Sequence, residues 1–321
     1  MLKACIFFVI GLLLLIFGGD WFVDGATGVA KKFHIPDLLI GATVVSIGTT
    51  LPEVMVSATG ALQGHSQIAY GNAIGSIICN TALICAITIA VSPSNVEKKT
   101  LRLPVAFFFG AAVFYCYCAI GDGYFSRLEG IILLAMFVLY IALQAKEALS
   151  NKNKAADSEV KEEATSLFKD LILLVIGAAC IALGANYLVE NGTIIARELG
   201  VPETVIALTF VALGTSLPEL VTAITSLIKG HGLLSLGNII GANLFNLVLV
   251  SGLSITLSPF NVPADKTIGG LNASFVVDMP VMFAVMLIMT IPPLFKGKLK
   301  RWQGILLLGI YAAYCAFQFI G

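Results

Sequence analysis

The chain is short of charge. Only 12% of its 321 residues are Asp, Glu, Lys or Arg, while 58% are hydrophobic, and the mean hydropathy is +0.95. A soluble domain carries about twice that charge fraction, so the composition excludes an ordinary soluble protein and indicates a polytopic membrane protein. Net charge is also missing, with 19 basic and 19 acidic residues. That removes any electrostatic ground for nucleic acid or an acidic partner. Long polar stretches are nearly absent: Asn151 to Ser166 is the only one, rich in Lys, Glu and Ala. It reads as a solvated linker, too short for a regulatory domain. No small-residue cleavage site precedes Asp20, so the apolar run after Lys3 reads as a first span and not a leader. The seven cysteines (Cys5, Cys79, Cys85, Cys116, Cys118, Cys180 and Cys315) lie in or beside apolar runs and read as small apolar residues. Cys116 and Cys118, two apart on a helix, diverge.

What is there is a succession of apolar runs. Ten spans are expected at 4–30, 37–62, 67–91, 102–121, 127–147, 169–193, 203–228, 232–257, 274–294 and 301–320, each about 17–25 residues and able to cross a bilayer. With the N-terminus outside, 15 of the 19 Lys and Arg fall on the inward side and 4 on the outward side. The positive-inside bias therefore expects both termini outside and the central linker in the cytoplasm.

The chain repeats itself at a spacing of 166 residues. Gly41–Ile84 aligns with Ala207–Val250 without a gap, with 16 of 44 positions identical. The register continues outward. Trp21-Phe22-Val23-Asp24 meets Tyr187-Leu188-Val189-Glu190, Pro36 meets Pro202, and Ser92-Pro93-Ser94-Asn95-Val96 meets Ser258-Pro259-Phe260-Asn261-Val262. Five spans per copy is an odd number, so the second copy enters the membrane in the opposite sense. Inverted repeats are a signature of secondary transporters, which bind their cargo near the midplane where the halves meet. The expected division is 1–147 and 169–321 for the two five-helix halves, with 148–168 as cytoplasmic linker.

Each half carries one polar phrase inside an apolar run: Gly48-Thr49-Thr50-Leu51-Pro52-Glu53 and Gly214-Thr215-Ser216-Leu217-Pro218-Glu219. A carboxylate at bilayer depth is costly and is a functional candidate by default. Pro52 and Pro218 lack an N–H, so each is expected to interrupt its helix, near Gly48 and Gly214, and to free carbonyls there. Thr49, Thr50, Thr215 and Ser216 add hydroxyls. In the following spans Asn72, Ser76 and Asn80 share one helix face; their counterparts are Asn238, Ala242 and Asn246. Helix glue is a competing reading of these asparagines. Gly71 and Gly75, like Gly237 and Gly241, form small-xxx-small seams. Every ligand on offer is a hard oxygen; no His or Cys lies near enough for zinc or copper. Two glutamates with many neutral oxygens suit one Ca²⁺, and Na⁺, of similar size, can use the same atoms. Replacing one Ca²⁺ by three Na⁺ makes exchange electrogenic.

Other readings stay open at this point. Each glutamate could be neutralised by a proton, giving a proton-driven Ca²⁺ antiporter. A passive cation channel could use acid rings, though channels are usually symmetric about the membrane normal. An intramembrane enzyme would have Asp20, Asp24 and Asp278 as its acids. His65 and His231, matched across the repeat, read as interfacial turn residues or as pH-sensitive gate elements.

The two phrases, each followed by a GNxIGxxxxN segment (Gly71 to Asn80 and Gly237 to Asn246), resemble the α-repeats of the sodium/calcium exchangers, the cation/Ca²⁺ antiporter superfamily, and the whole pattern is similar to prokaryotic members. The resemblance implies an all-α polytopic membrane protein with ten transmembrane helices in two inverted five-helix repeats and discontinuous core helices. It implies Na⁺/Ca²⁺ antiport by alternating access in a bacterial or archaeal inner membrane. It also implies no cofactor and no obligatory protein partner, with only the lipid bilayer and the transported ions as company. Glu53 and Glu219 become central Ca²⁺ ligands shared with Na⁺. Thr49 and Thr215 supply backbone and hydroxyl oxygens, and Thr50 and Ser216 line the site. Ser46 and Ala212 offer carbonyls to flanking Na⁺ sites, while Ser76 and Asn80 complete the first half and Asn246 the second. Some relatives carry a serine at the position of Ala242 and an aspartate at that of Asn246; the first departure bears on stoichiometry, and the second argues against K⁺ co-transport. The first and sixth spans are expected to slide across a fixed core.

Overall fold

The computed structural model describes residues 2–155, 166–200, 214–264 and 267–320. Ten helices run through the described residues. They are α1 (Leu2–Phe33), α2 (Asp37–Leu62), α3 (Ser66–Val91), α4 (Lys98–Asp122), α5 (Arg127–Ala155), α6 (Leu167–Glu198), α7 (Leu217–Ile228), α8 (Gly232–Leu257), α9 (Ser274–Lys296) and α10 (Arg301–Ile320). Eight of these are long and apolar enough to cross a membrane, by length and composition. The expected spans match within a few residues. Two expectations fall outside the described residues: the opening of the seventh span (203–213, including Ala212) with Pro202 before it, and 156–165 of the linker. Residues 148–155 of the expected linker continue α5, because Lys and Ala favour helix wherever packing does not decide.

Helices α2, α3, α8 and α9 are not uniform. Each contains one wider, π-helical stretch: Gly41–Val45, Asn80–Cys85, Asn246–Ser251 and Ser274–Asp278. Those in α3 and α8 are 166 residues apart and each opens on the asparagine expected in the site. A π-turn inserts one residue and rotates the side chains beyond it, a device frequent at functional sites.

Among the described residues, helices α1 and α6 form the most extensive pairing. They approach so closely because glycines line the seam. A Cβ at Gly18 would sit 2.7 Å from that of Cys180 and 3.0 Å from the Gly177 carbonyl, and one at Gly11 would sit 2.9 Å from the Gly184 carbonyl. The contacts are mirrored: Gly11 and Gly18 are the 166-residue counterparts of Gly177 and Gly184, and each pairs with the other's partner. The main core lies elsewhere, among α3, α4, α5, α8 and α9, where Ile77, Phe108, Tyr115, Tyr140, Phe245 and Met286 are fully buried.

Two short backbone straps join the halves. Strand β1 (Tyr124–Phe125) pairs antiparallel with β2 (Phe260–Asn261), and Val262 N–H donates to the Gly123 carbonyl at 2.8 Å. Beyond another turn, Asn95 bridges Lys298, and Val96 N–H donates to the Gly297 carbonyl at 2.9 Å. Val96 and Val262 are repeat counterparts. Gly123 and Gly297 both adopt left-handed φ, +72° and +65°, a conformation that glycine adopts without a Cβ penalty. A small hairpin, β3 (Thr267–Ile268) with β4 (Leu271–Asn272), precedes α9.

Candidate ion-binding site

The two acidic phrases meet at the contact of α2, α3, α7 and α8. Glu53 and Glu219 are both fully buried. Among the described residues, none of their four carboxylate oxygens has a hydrogen-bond partner. Thr49, Thr50, Ser216, Ser76, Asn80 and Asn246 are likewise buried, at 0–4% exposure, whereas Thr215 is half-buried. The Thr50 and Ser216 hydroxyls and both amide atoms of Asn80 and of Asn246 also lack partners. Leaving a buried polar atom unpaired costs about 1–3 kcal/mol, and native interiors hold few. Such orphans converging around two acids suit a cation: the oxygens of Glu53, Glu219, Thr50, Ser216, Asn80 and Asn246 are all hard ligands.

The hydroxyls of Thr49 and Thr215 have a different part. Thr49 donates to Asn238 Oδ1 at 3.1 Å, and Thr215 donates to Asn72 Oδ1 at 3.1 Å. Each bond crosses from one repeat to the other, and each is the other's counterpart. Donation uses the proton and leaves oxygen lone pairs free to accept a cation. Asn72 is the better anchored amide: its Nδ2 donates to the Glu53 carbonyl at 3.2 Å and to Ser57 Oγ at 2.8 Å. The glue reading of these two asparagines is thus correct in part, but what they join is the two motifs. Sequence reasoning set them beside the site and did not put them in it; the available signal was their 166-residue match with threonines at equal offsets.

The expected break at Gly48 is corrected. Helix α2 continues through Pro52 from Ser46 to Leu62, and its irregularity lies earlier, at the π-turn Gly41–Val45. Proline removes one hydrogen bond, the one to the carbonyl four residues back, and the helix runs on through it. The carbonyls loosened at the π-turn are taken up locally. Tyr140 donates to the Ala42 carbonyl at 3.0 Å, and Ser46 Oγ reaches the Gly41 carbonyl at 2.6 Å and the Asn238 carbonyl at 3.0 Å. Ser46 therefore binds helix α8 through its hydroxyl. In the second half, Gly214–Ser216 form a turn and α7 starts at Leu217 with Pro218 in its first turn, a position proline favours.

Close backbone approach holds the motifs together. A Cβ on Gly237 would collide with the Leu38 carbonyl, and one on Gly241 would sit 2.7 Å from the Ala42 Cα. The Gly237/Gly241 seam of the sequence is thus where α8 meets α2.

The remaining acids lie away from this centre. Asp20 and Asp24 pair with Lys229 Nζ at 2.6 and 2.7 Å, tying α1 to the turn after α7. Burial acts to lower the Lys229 pKa, but the two carboxylates outweigh it and the pKa rises. His231 Nδ1 meets Asp37 Oδ2 at 2.9 Å beside that turn. Asp278 accepts from Tyr314 and Gln318, each at 3.1 Å, at an opening of about 310 Å³ that Tyr70 and Ser274 also line.

Comparisons with known proteins agree with this architecture. The family model described as sodium/calcium exchanger protein matches residues 3–146 and 169–320. An uncharacterized membrane protein of Methanocaldococcus jannaschii is 34% identical over 310 residues, covering 95% of this chain and 94% of its own. The sodium/calcium exchanger MaX1 of Methanosarcina acetivorans is 31% identical over 347 residues, covering 97% of both. Among solved structures, the sodium-calcium exchanger NCX_Mj soaked with 10 mM Na⁺ and 10 mM Sr²⁺ superposes with TM-score 0.83 at 31% identity, over 98% of this chain and 97% of that one. The family is one of transporters, so the enzyme reading of Asp20, Asp24 and Asp278 falls. With the family model spanning both halves and prokaryotic relatives matching end to end, the chain belongs to the sodium/calcium exchanger family.

Proposed function

We propose that the chain exchanges Ca²⁺ for Na⁺ across a prokaryotic inner membrane by alternating access, with Glu53 and Glu219 holding the ion. The observation that carries this reading is the pair of buried, partnerless carboxylates among neutral oxygens that also lack partners. Two formal negative charges match one Ca²⁺, and pairing offsets the desolvation that makes a buried charge costly. Thr50, Ser216, Asn80 and Asn246 complete the oxygen set, with Thr49 and Thr215 contributing lone pairs. Ser46, Ser76 and Ala212 are assigned to flanking Na⁺ positions or to the lining, Ala212 from sequence alone. The relatives named sodium/calcium exchangers support Na⁺ as the driving ion.

We assign residues 1–147 and 169–321 to the two exchanging halves and 148–168 to the cytoplasmic linker, with both termini outside, from the distribution of Lys and Arg. The mirrored bonds Thr49–Asn238 and Thr215–Asn72 support such a pairing of halves. Their glycine seam makes α1 and α6 a unit able to move together, while the straps at Asn95–Lys298 and Tyr124–Asn261 hold the rest.

Calorimetric titration of the solubilised protein tests the site. Ca²⁺ is expected to bind, to be displaced by Na⁺, and to lose at least about a hundredfold in affinity in Glu53→Gln or Glu219→Gln, since each variant leaves one acid where two neutralised the ion. Binding that Na⁺ leaves untouched and that only acid weakens would assign proton coupling instead.

A further inference from the structure

The buried face of α7 carries Glu219, Thr222 and Ser226, three and then four residues apart. On α8, Ser235 and Asn238 lie three apart. All five are fully buried, and among the described residues the hydroxyls of Thr222, Ser226 and Ser235 and the Nδ2 of Asn238 have no hydrogen-bond partner. Four such orphans beside one another are costly and rare in a settled core.

The matching positions of the first half carry no such file. The residues 166 positions earlier are Val56, Gly60 and Ala69, which carry no polar side chain. The fourth, Asn72, has its Nδ2 fully engaged by Ser57 and the Glu53 carbonyl, whereas the second half has Ala223 in place of Ser57. The polar file is therefore a property of α7 and α8 alone, and the general symmetry of the repeat does not explain it.

Its course is set by the helix register. Helices α7 and α8 run antiparallel about the turn Lys229–Gly230–His231, where His231 N–H donates to the Ser226 carbonyl at 2.7 Å and Leu234 N–H to the His231 carbonyl at 2.9 Å. Ser226 and Ser235 stand nearest that turn; Thr222 and Asn238 stand one turn deeper, next to Glu219. The file leads from the central acid to one face of the protein.

We propose that Thr222, Ser226, Ser235 and Asn238 line the route by which a hydrated cation passes between Glu219 and the face bearing the 229–231 turn; this rests on the exchanger reading above. The three hydroxyls offer oxygens to the ion, and the Asn238 amide offers N–H groups to its hydration water. Polar groups that no protein atom satisfies are the ones a passing ion and its hydration water can meet. The ion pair of Lys229 with Asp20 and Asp24, holding α1 against this turn, lies at the mouth of that route.

The test combines Thr222→Val, Ser226→Ala and Ser235→Ala and starts Na⁺-driven ⁴⁵Ca²⁺ exchange from each face of oriented vesicles in turn. The half-saturating Ca²⁺ concentration at the 229–231 face is expected to rise about fivefold, the scale of losing a hydrogen bond or two to the passing ion. The opposite face should change less than about twofold, and melting temperature should not fall. Equal change at both faces, or at neither, overturns the proposal. Should the triple variant fail to fold, Thr222→Val and Ser235→Ala singly carry the same comparison, with Thr222→Ser expected to behave as wild type. A second readout does not depend on Na⁺ coupling. Ser235→Cys should react with a membrane-impermeant methanethiosulfonate above the wild-type background, from that face only, and Ca²⁺ should alter the rate. No labelling from that face overturns the route; labelling without Na⁺-driven exchange in the unmodified protein would retain the route and strike the exchanger reading.

Discussion

Thr49 and Asn238, 189 residues apart in sequence, share a hydrogen bond of 3.1 Å between hydroxyl and amide oxygen. The bond joins helix α2 of one repeat to α8 of the other beside both buried acids. Its counterpart, Thr215 to Asn72, has the same length. The two asparagines differ in what else they hold, and that difference is measurable.

Asn72 makes three hydrogen bonds and Asn238 one through their side chains. At about 1 kcal/mol per bond, Asn72→Ala is expected to destabilise the protein more than Asn238→Ala, by about 2 kcal/mol. Thermal melting of the two variants in one detergent checks this. Ser57→Ala should cost about as much as Asn238→Ala, because it removes one of the three bonds of Asn72 and leaves the others. Equal melting temperatures for both asparagine variants would contradict the assignment.

The α1–α6 seam predicts a second asymmetry, between glycine and any larger residue. A Cβ at Gly18 meets Cys180 at 2.7 Å and one at Gly11 meets the Gly184 carbonyl at 2.9 Å, so Gly18→Val or Gly11→Val must push the helices apart. Overpacking of this kind costs about 1–3 kcal/mol. Because both helices move as one unit in the proposed cycle, turnover should fall along with stability. Gly110→Val, where a Cβ meets no atom within 4 Å, serves as the control and should leave both unchanged.

Lys229 holds Asp20 and Asp24 of α1 at 2.6 and 2.7 Å. The repeat counterpart of Lys229 is Gln63, and that of Asp20 is Asn186, so the pair exists on one side only. Lys229→Gln should alter turnover by about twofold or more while leaving Ca²⁺ affinity at the acids unchanged. The wild-type rate should approach that of the variant as salt rises, since exposed pairs are screened. The raised Lys229 pKa also fixes the pH sign: the pair persists through neutral pH and is lost as pH rises beyond the ordinary lysine range. Rate measurements across salt and pH check both statements.

Much of this was legible in the sequence for definite reasons. The ten helices followed from apolar length, because a bilayer demands it, and the acidic phrases stood out because a carboxylate inside an apolar run is costly. The π-turns were not legible: Asn80 and Asn246 look like helical residues, and only packing shows that the helix widens there. The break expected near Gly48 was misplaced for the same reason. Proline announces one lost hydrogen bond, and only packing shows whether the helix ends there or continues, as α2 does to Leu62. The α1–α6 seam was visible only as scattered glycines until the two helices were set side by side. Ala212 stays an assignment from sequence, because residues 201–213 fall outside those described.

The most direct measurement is ⁴⁵Ca²⁺ uptake into proteoliposomes loaded with Na⁺ and diluted into Na⁺-free buffer, with a pH-gradient arm and Glu53→Gln in parallel. The account predicts uptake driven by the Na⁺ gradient and abolished by Glu53→Gln. Uptake driven by the pH gradient alone, or Na⁺-driven uptake that survives the loss of the Glu53 carboxylate, would contradict it.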